Sequence, residues 1–298
     1  MAGVFCLGIA TLDYVYSVER VPNPGEKDRA RDLVVTGGGC AGSGSAAIGR
    51  LGGRAWLATR LGDDAVGDTI VGQLQQDGVD TSLSPRFPGL RSPVSSILID
   101  AQGERMVVSY TDPKTPLTTD WLPEALPAGC DGVLVDTRWG EGSLAALQLA
   151  RKAGVPGVID GDRQPTHPEM VTTASHVAFS EKALSEISGG QEPRAALEAL
   201  ARDAQNWLAV TLGPRGVLFM ENGSIAHLPA FPIEAVDTLG AGDVWHGAFA
   251  LALAEGQRER EAVRFALPWP RSNAPASAAA PARRRARRSS ASWRRIPE

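Results

Sequence analysis

The sequence predicts an α/β fold, a mostly parallel sheet with helices on both faces and a second, smaller β-sheet beside it. Two observations carry this prediction. Short apolar runs of the kind that form buried parallel strands recur along the chain, separated by helix-like stretches of roughly 10 to 15 residues, which implies right-handed crossovers. Two further segments, rich in β-branched and aromatic residues with a turn in the middle, interrupt that rhythm and form a separate layer that covers a pocket.

In chain order, VFCLGI at 4–9 reads as the first buried strand, ending where Asp13 meets a loop. YVYSVERVPNPGEKDRARDLVV, approximately 14–36, reads as a hairpin outside the main sheet. GGGCAGSGSAAIGRLGG at 37–53 is a Gly-rich loop entering a closely packed helix. AWLATRLG and VGDTIVGQLQQDG continue the strand and helix alternation, and SPVSSILIDAQGERMVVSY at 92–110 supplies the second pair of strands for the smaller sheet. The alternation resumes with DGVLVDT, a helix over 141–152, VPGVID, a short helix near 166–173, HVAF, a helix from Glu181, another from about Arg194, and WLAVTLG. GVLFMENGSIAHLP is a hairpin with Asn222-Gly223 at its turn; a buried helix follows over 242–255, then a short one over 258–266. Open sheets of this type bind ligands beyond the carboxyl ends of their strands.

Composition excludes several functions. No run of eighteen apolar residues is present to span a membrane, and MAGVFCLGIATLD reaches an acidic residue without a basic leader region. Cys6, Cys40 and Cys130 are odd in number and widely spaced, which points to a reducing, cytoplasmic setting without a disulfide framework or zinc site. His167, His176, His227 and His246 are equally scattered, with no metal-binding spacing. Residues 271–298 hold eight Arg and one Glu, a net +7 against −4 for the whole chain, so residues 1–270 carry −11. A nucleic-acid partner would have to be bound by that tail, because the acidic body repels polyanions.

The strongest chemical signal is DTLGAGD at 237–243. Gly240 and Gly242 let consecutive backbone N–H groups turn inward at the start of a helix, making an anion nest suited to a transferring phosphoryl group. Asp243 at the same turn is placed to orient an acceptor hydroxyl and take its proton. The same pattern also fits a plain helix start, in which Asp243 gains about 0.3–1 kcal/mol from the helix dipole.

DTLGAGDVWHGAFA resembles the second signature of the PfkB or ribokinase-like carbohydrate kinases. Asp13 after the first strand, GGGCAGSGSAAIGRLGG, RLGDDAVGD and TLGPRG at 211–216 extend the resemblance in the same order over approximately residues 4–266. It implies a three-layer α/β/α sandwich with a small β-sheet lid over 14–36 and 92–110, a kinase domain over 1–266, and phosphorylation of a sugar's primary hydroxyl. It implies further that Gly240, Ala241 and Gly242 form the anion hole and that Asp243 is the base. Asp13, Gly38 and the Ser43 position are implied to face the sugar, and Thr211, Gly213 and Gly216 the nucleotide. ATP with Mg²⁺ is the implied phosphoryl donor, a monovalent cation is left open, and lids of two subunits are implied to pair in a homodimer.

GIATLDYVYSVERVP, VDTRWGEG, VIDGD and AFSEKAL resemble the sulfofructose kinase branch more closely. That likeness makes Arg138 the candidate reader of a terminal anion, since a guanidinium gives two directed hydrogen bonds. Ser109 stands where that branch leads one to expect Asn in a lid strand, and Ser43 where many relatives have Asn. The expected acceptor is a ketose or an anionic ketose such as sulfofructose, with fructose, ribose and 2-keto-3-deoxygluconate as alternatives. Ser180-Glu181-Lys182-Ala183 occupies the family's N-x-x-E stretch and leaves Glu181 as its one carboxylate toward the metal. Lys27 and Arg105 on lid strands, Asp160 and Asp162 at a strand end, and Trp139 beside Arg138 are secondary candidates. Asp63 and Asp64 read as capping residues, and His246 as a packed helix residue.

From Leu267 the resemblance stops. LPWPRSNAPASAAAPARRRARRSSASWRRIPE is interrupted by prolines at 268, 270, 275 and 281, with a fifth at 297, and has no apolar period to bury. This Ala/Pro/Arg/Ser composition is expected of a frameshift, and its loss of the family's closing helix is expected to leave a binding protein impaired in turnover as the alternative function.

Overall fold

The computed structural model describes residues 1–230 and 240–267. Asp237, Thr238 and Leu239 of the expected anion nest, and the tail 268–298, lie outside the described residues. β1 (Gly3–Leu7) is buried throughout, and the chain then leaves the main sheet for β2 (Thr11–Ser17) and β3 (Asp32–Gly38). Next come α1 (Cys40–Arg50), β4 (Arg54–Ala58), the two-residue β5 (Leu61–Gly62), α2 (Ala65–Gln76), β6 (Val79–Asp80) and β7 (Arg86–Phe87). β8 (Val94–Ile99) and β9 (Arg105–Tyr110) precede β10 (Gly132–Asp136), α3 (Gly140–Ala153), β11 (Gly157–Gly161), α4 (Pro168–Thr173) and β12 (His176–Ser180). α5 (Glu181–Ser188), α6 (Pro193–Ala201), β13 (Trp207–Thr211), the hairpin β14 (Val217–Glu221) and β15 (Ser224–Leu228), α7 (Ala241–Ala254) and α8 (Glu259–Ala266) complete the described chain.

The main sheet runs β15-β14-β13-β12-β11-β10-β1-β4-β6. From β13 to β6 every pairing is parallel, and the β14–β15 hairpin adds two antiparallel pairings, β13 with β14 and β14 with β15. Side-chain alternation splits the buried residues by face. Val4, Cys6 and Leu134 join the core beneath α1, α7 and α8, while Phe5, Leu7, Val133 and Val135 join the core with α3 and α6. This is the expected α/β/α sandwich. Among the described residues no helix is long and apolar enough to cross a membrane.

The smaller sheet has the order β3-β2-β8-β9, two antiparallel pairs joined by parallel pairing of β2 with β8. Two expectations need correction. β1 ends at Leu7, and Asp13 sits inside β2, because Thr11–Ser17 has both β3 and β8 as hydrogen-bonding neighbours. Residues 18–31 form a long connection instead of a tight hairpin turn, so Lys27 lies on no strand, whereas Arg105 opens β9 as expected. Lid residues Leu33, Val35, Met106, Val108 and Tyr110 alternate onto one face and are exposed, Val108 by 62%.

The Ala/Gly richness of α1 has a packing cause. A Cβ on Gly247 of α7 would lie 2.4 Å from the Gly44 carbonyl oxygen of α1, so the two backbones meet without side chains between them. That crossing fixes the start of α1 against the start of α7. Asp64 caps α2 as expected, its Oδ1 accepting from Gly67 N–H at 2.8 Å.

Candidate active site

From β1 the chain builds outward through β4 and β6 on one side and through β10 to β13 on the other. The topological switch therefore falls between β1 and β10, and a crevice beyond their carboxyl ends is where such sheets take ligands. Asp136, the last residue of β10, is fully buried there. Its Oδ2 accepts from Ile9 N–H at 2.7 Å and Ala41 N–H at 3.3 Å, and its Oδ1 from Arg138 N–H at 2.9 Å. It ties the exit of β1, the first turn of α1 and the exit of β10 together. Burial pushes its carboxyl up to about 6, against the hydrogen bonds that favour the charged form.

Asp243 enters this crevice from the first turn of α7. Gly240 caps that helix in the left-handed region, φ 68°, and a Cβ on Gly242 would meet nothing within 4 Å. The helix start is thus open to a ligand at the backbone N–H groups of residues 241–243. Parallel register places Asp160 of β11 beside Asp136 of β10, and Asp160 meets Asp243. Burial, then the charge of Asp160, holds the Asp243 carboxyl well above the ordinary carboxylate range. Asp160 is raised likewise, by burial first and then by Asp162 and Asp136. His246 is packed as expected, with Nδ1 2.8 Å from Gly242 O and Nε2 3.0 Å from Ala178 O. Burial lowers its pKa.

On the lid side, Asp13 is buried and accepts from Thr11 Oγ1 at 2.7 Å. Gly38 lies against it, since a Cβ there would stand 2.0 Å from Asp13 Oδ2. Strand register aligns Asp13 with Ser95 and Ser95 with Ser109, so one row of polar side chains crosses three lid strands. Ser95, buried and hydrogen-bonded to Asp13, has no motif around it and is found only through pairing. Burial raises the Asp13 carboxyl. Ser43 is buried on α1 and lines, with Thr11, Gly38 and Gln73, a cleft of about 220 Å³ between the lid, α1 and α2. A larger cavity, about 850 Å³, opens at the amino ends of β11, β12 and β13 beside Gly157, His176 and Trp207. It contains none of the crevice carboxylates and stands at the end of a parallel sheet that does not take ligands.

Arg138 forms an ion pair with Asp162, whose other oxygen accepts from Thr137 Oγ1 at 2.8 Å. Arg138 Nε is buried without a hydrogen-bond partner among the described residues. Trp139 is 1% exposed and stacks on Trp121 at 5.3 Å, with the Arg60 guanidinium 4.2 Å above its ring, so it is a core residue supporting the crevice from behind. Arg60 gave no sequence signal; burial lowers its pKa to about 10, and Asp136 acts against that.

Thr211 ends β13, and a short 3₁₀ turn follows over Gly213–Arg215. Gly213 and Gly216 both have positive φ, 57° and 92°, and Gly213 faces open space. Glu181 forms an ion pair with Arg215 of that turn, and Ser180 caps α5 through Ala183 N–H at 3.1 Å.

A family model for pfkB family carbohydrate kinases matches residues 1–268. The chain is 27% identical over 269 residues to a ribokinase of Bacillus subtilis, covering 89% of this chain and 90% of that protein. It is 24% identical over 254 residues to a deoxyribokinase of Salmonella typhi, covering 82% and 83%. A ribokinase-like protein of Agrobacterium tumefaciens superposes with a TM-score of 0.82 at 37% identity over 89% of each chain. The fold also matches an Arabidopsis thaliana ribokinase solved with ribose and ATP, TM-score 0.74 at 23% identity over 90% and 91%. Fold and site define a sugar-phosphorylating kinase. The chain belongs to the pfkB family of carbohydrate kinases.

Proposed function

We propose that Asp243 is the general base of ATP-dependent phosphorylation at a primary hydroxyl of a sugar. The observation that supports this most is the Asp243 carboxylate at the open start of α7, in the switch-point crevice, among buried acids that raise its proton affinity. Asp243 accepts the hydroxyl proton while the Gly240, Ala241 and Gly242 backbone faces the charge on the transferring group. Asp13, Gly38, Ser43 and Ser109 face the sugar from the lid side.

Thr211, Gly213 and Gly216 hold the nucleotide. The open space around Gly213 and Gly242 fits a phosphate chain lying against backbone. ATP supplies the γ-phosphoryl group, and Mg²⁺ offsets its charge when bound. Glu181, already paired with Arg215, reaches that ion only indirectly, so its ligands come mainly from phosphate and water. The kinase domain spans 1–266 in this reading, the setting is cytoplasmic, and a monovalent cation stays open.

A ketose such as fructose is the acceptor we favour, with ribose and 2-keto-3-deoxygluconate as alternatives. A second reading, an anionic ketose such as sulfofructose, is favoured by the unpartnered Arg138 Nε. Against it, Arg138 is already paired with Asp162, and Asp136 adds a second negative charge beside it. Initial-rate comparison across these sugars decides the matter. If an anion is read by Arg138, Arg138→Ala should lower kcat/KM for sulfofructose about 10²-fold or more while changing fructose less than about tenfold. Equal losses on both sugars would make Arg138 a structural ion pair.

The exposed apolar row of Leu33, Val35, Met106, Val108 and Tyr110 supports pairing of two lids in a homodimer. Val108→Glu should then convert a dimer into a monomer by light scattering; a wild-type monomer at all concentrations would remove this reading.

A further inference from the structure

We infer that Cys40, Asp160 and Asp243 together form a binding site for a thiophilic divalent cation of the Zn²⁺ or Cd²⁺ type. One ligand atom from each of the three lies within 4.8 Å of the others. They come from separate elements, the first residue of α1, the strand β11 and the first turn of α7, so the convergence is made by the fold and not by a local turn. The Cys40 thiol is in hydrogen-bonding reach of the Asp243 carboxylate. Independently, Asp160 Oδ2 is buried, on a residue 3% exposed, and has no hydrogen-bond partner among the described residues. An acceptor in that condition is costly unless a cation or donor meets it.

The donor chemistry selects the ion. One sulfur and two carboxylate oxygens suit a soft or borderline tetrahedral metal, whereas Mg²⁺ demands an octahedron of oxygens. Bonds of about 2.3 Å to sulfur and about 2.0–2.2 Å to oxygen place tetrahedral ligand atoms about 3.5 Å apart, so a modest inward movement closes the shell. Asp243 is only half-buried, which leaves the fourth position to water from the crevice.

Local charge favours the same outcome. Asp136 and Asp162 add negative potential at Cys40, and the nearby cation Arg138 is engaged with Asp162. His246 approaches Asp160 Oδ2 at 3.3 Å through Nδ1, but both its ring nitrogens already face backbone carbonyls. Burial and the surrounding acids keep the metal-free Cys40 protonated. Binding therefore forms the metal–sulfur bond as the thiol proton leaves to solvent. Occupation also removes the Asp243 carboxylate from any acceptor hydroxyl. The site does not depend on the kinase reading, and only its inhibitory effect rests on Asp243 being the base.

The test uses the full chain with the metal alone, without nucleotide or sugar. X-ray absorption of protein loaded with one equivalent of Zn²⁺ should show one sulfur at about 2.3 Å with oxygen neighbours. A shell of oxygen and nitrogen only would overturn the site. In competition with a chromophoric chelator, Cys40→Ser and Asp160→Asn should each weaken Zn²⁺ binding by about tenfold or more; unchanged affinity in both would also overturn it. The ultraviolet thiolate band of bound Cd²⁺ should vanish in Cys40→Ser and persist in Cys6→Ser and Cys130→Ser, and a band that follows either of those cysteines assigns the metal elsewhere. Zn²⁺ bound at Cys40 without loss of turnover would leave the site standing and remove Asp243 from the base role.

Discussion

Asp243→Asn is expected to lower kcat by about 10²–10⁴-fold, the span a positioned general base contributes, while sugar affinity changes by less than about tenfold. Asn keeps the size and the hydrogen bonds of one oxygen but cannot accept the hydroxyl proton. The neighbourhood of Asp243 predicts a pH signature as well. The base works only when ionised, and burial together with Asp160 raises its pKa above the ordinary carboxylate range. The rate should therefore climb with pH through that raised value. Asp160→Asn removes the like charge and should move the acid limb of kcat/KM to lower pH. Sugar binding by calorimetry and a pH–rate profile check both parts. Asp243→Asn turning over at a wild-type rate, with an unshifted profile in Asp160→Asn, would sink the base assignment.

What could be read from the sequence here is what a local pattern carries. DTLGAGD announces the start of α7 because a left-handed Gly240 and an acid in the first turn are properties of seven consecutive residues. The strand and helix alternation is legible for the same reason, since burial on both faces of a parallel sheet leaves continuous apolar runs such as GVLVD. The rest of the crevice is made by register and topology. Asp136 meets Ile9, Ala41 and Arg138 through contacts spanning up to 127 residues, and no spacing rule joins them. Asp160 and Asp162 are visible as acids at a strand end, but their neighbours depend on β11 lying beside β10. Ser95 joins Asp13 only because β8 runs parallel to β2, and Cys40 gains its meaning only when α7 crosses α1 at Gly44 and Gly247. Asp13 reads as the end of the first strand because alternation cannot tell a strand that stops from one that changes sheet after Gly8.

Asp136→Ala should be the most damaging replacement for stability outside the apolar core. It leaves the N–H groups of Ile9, Ala41 and Arg138 without their acceptor, and each buried orphan costs about 1–3 kcal/mol. Relaxation and water entry recover part of that, so a loss of about 3 kcal/mol is expected at pH 4. The loss should depend on pH in a definite sense. Burial raises the folded pKa of Asp136 to about 6, above its value in the unfolded chain, so the folded state holds the proton longer. Its contribution is complete below the unfolded pKa, near 4. It declines as pH rises through about 6 and levels off beyond. The gap between wild type and Asp136→Ala should therefore narrow from pH 4 to pH 7.5, by up to about 1.4 kcal/mol per unit of that shift. Urea denaturation of both proteins at the two pH values measures it, and taking the difference cancels the other carboxylates to first order. A gap that widens with pH would mean that Asp136 is held as a stabilised anion, with its three N–H donors outweighing its burial.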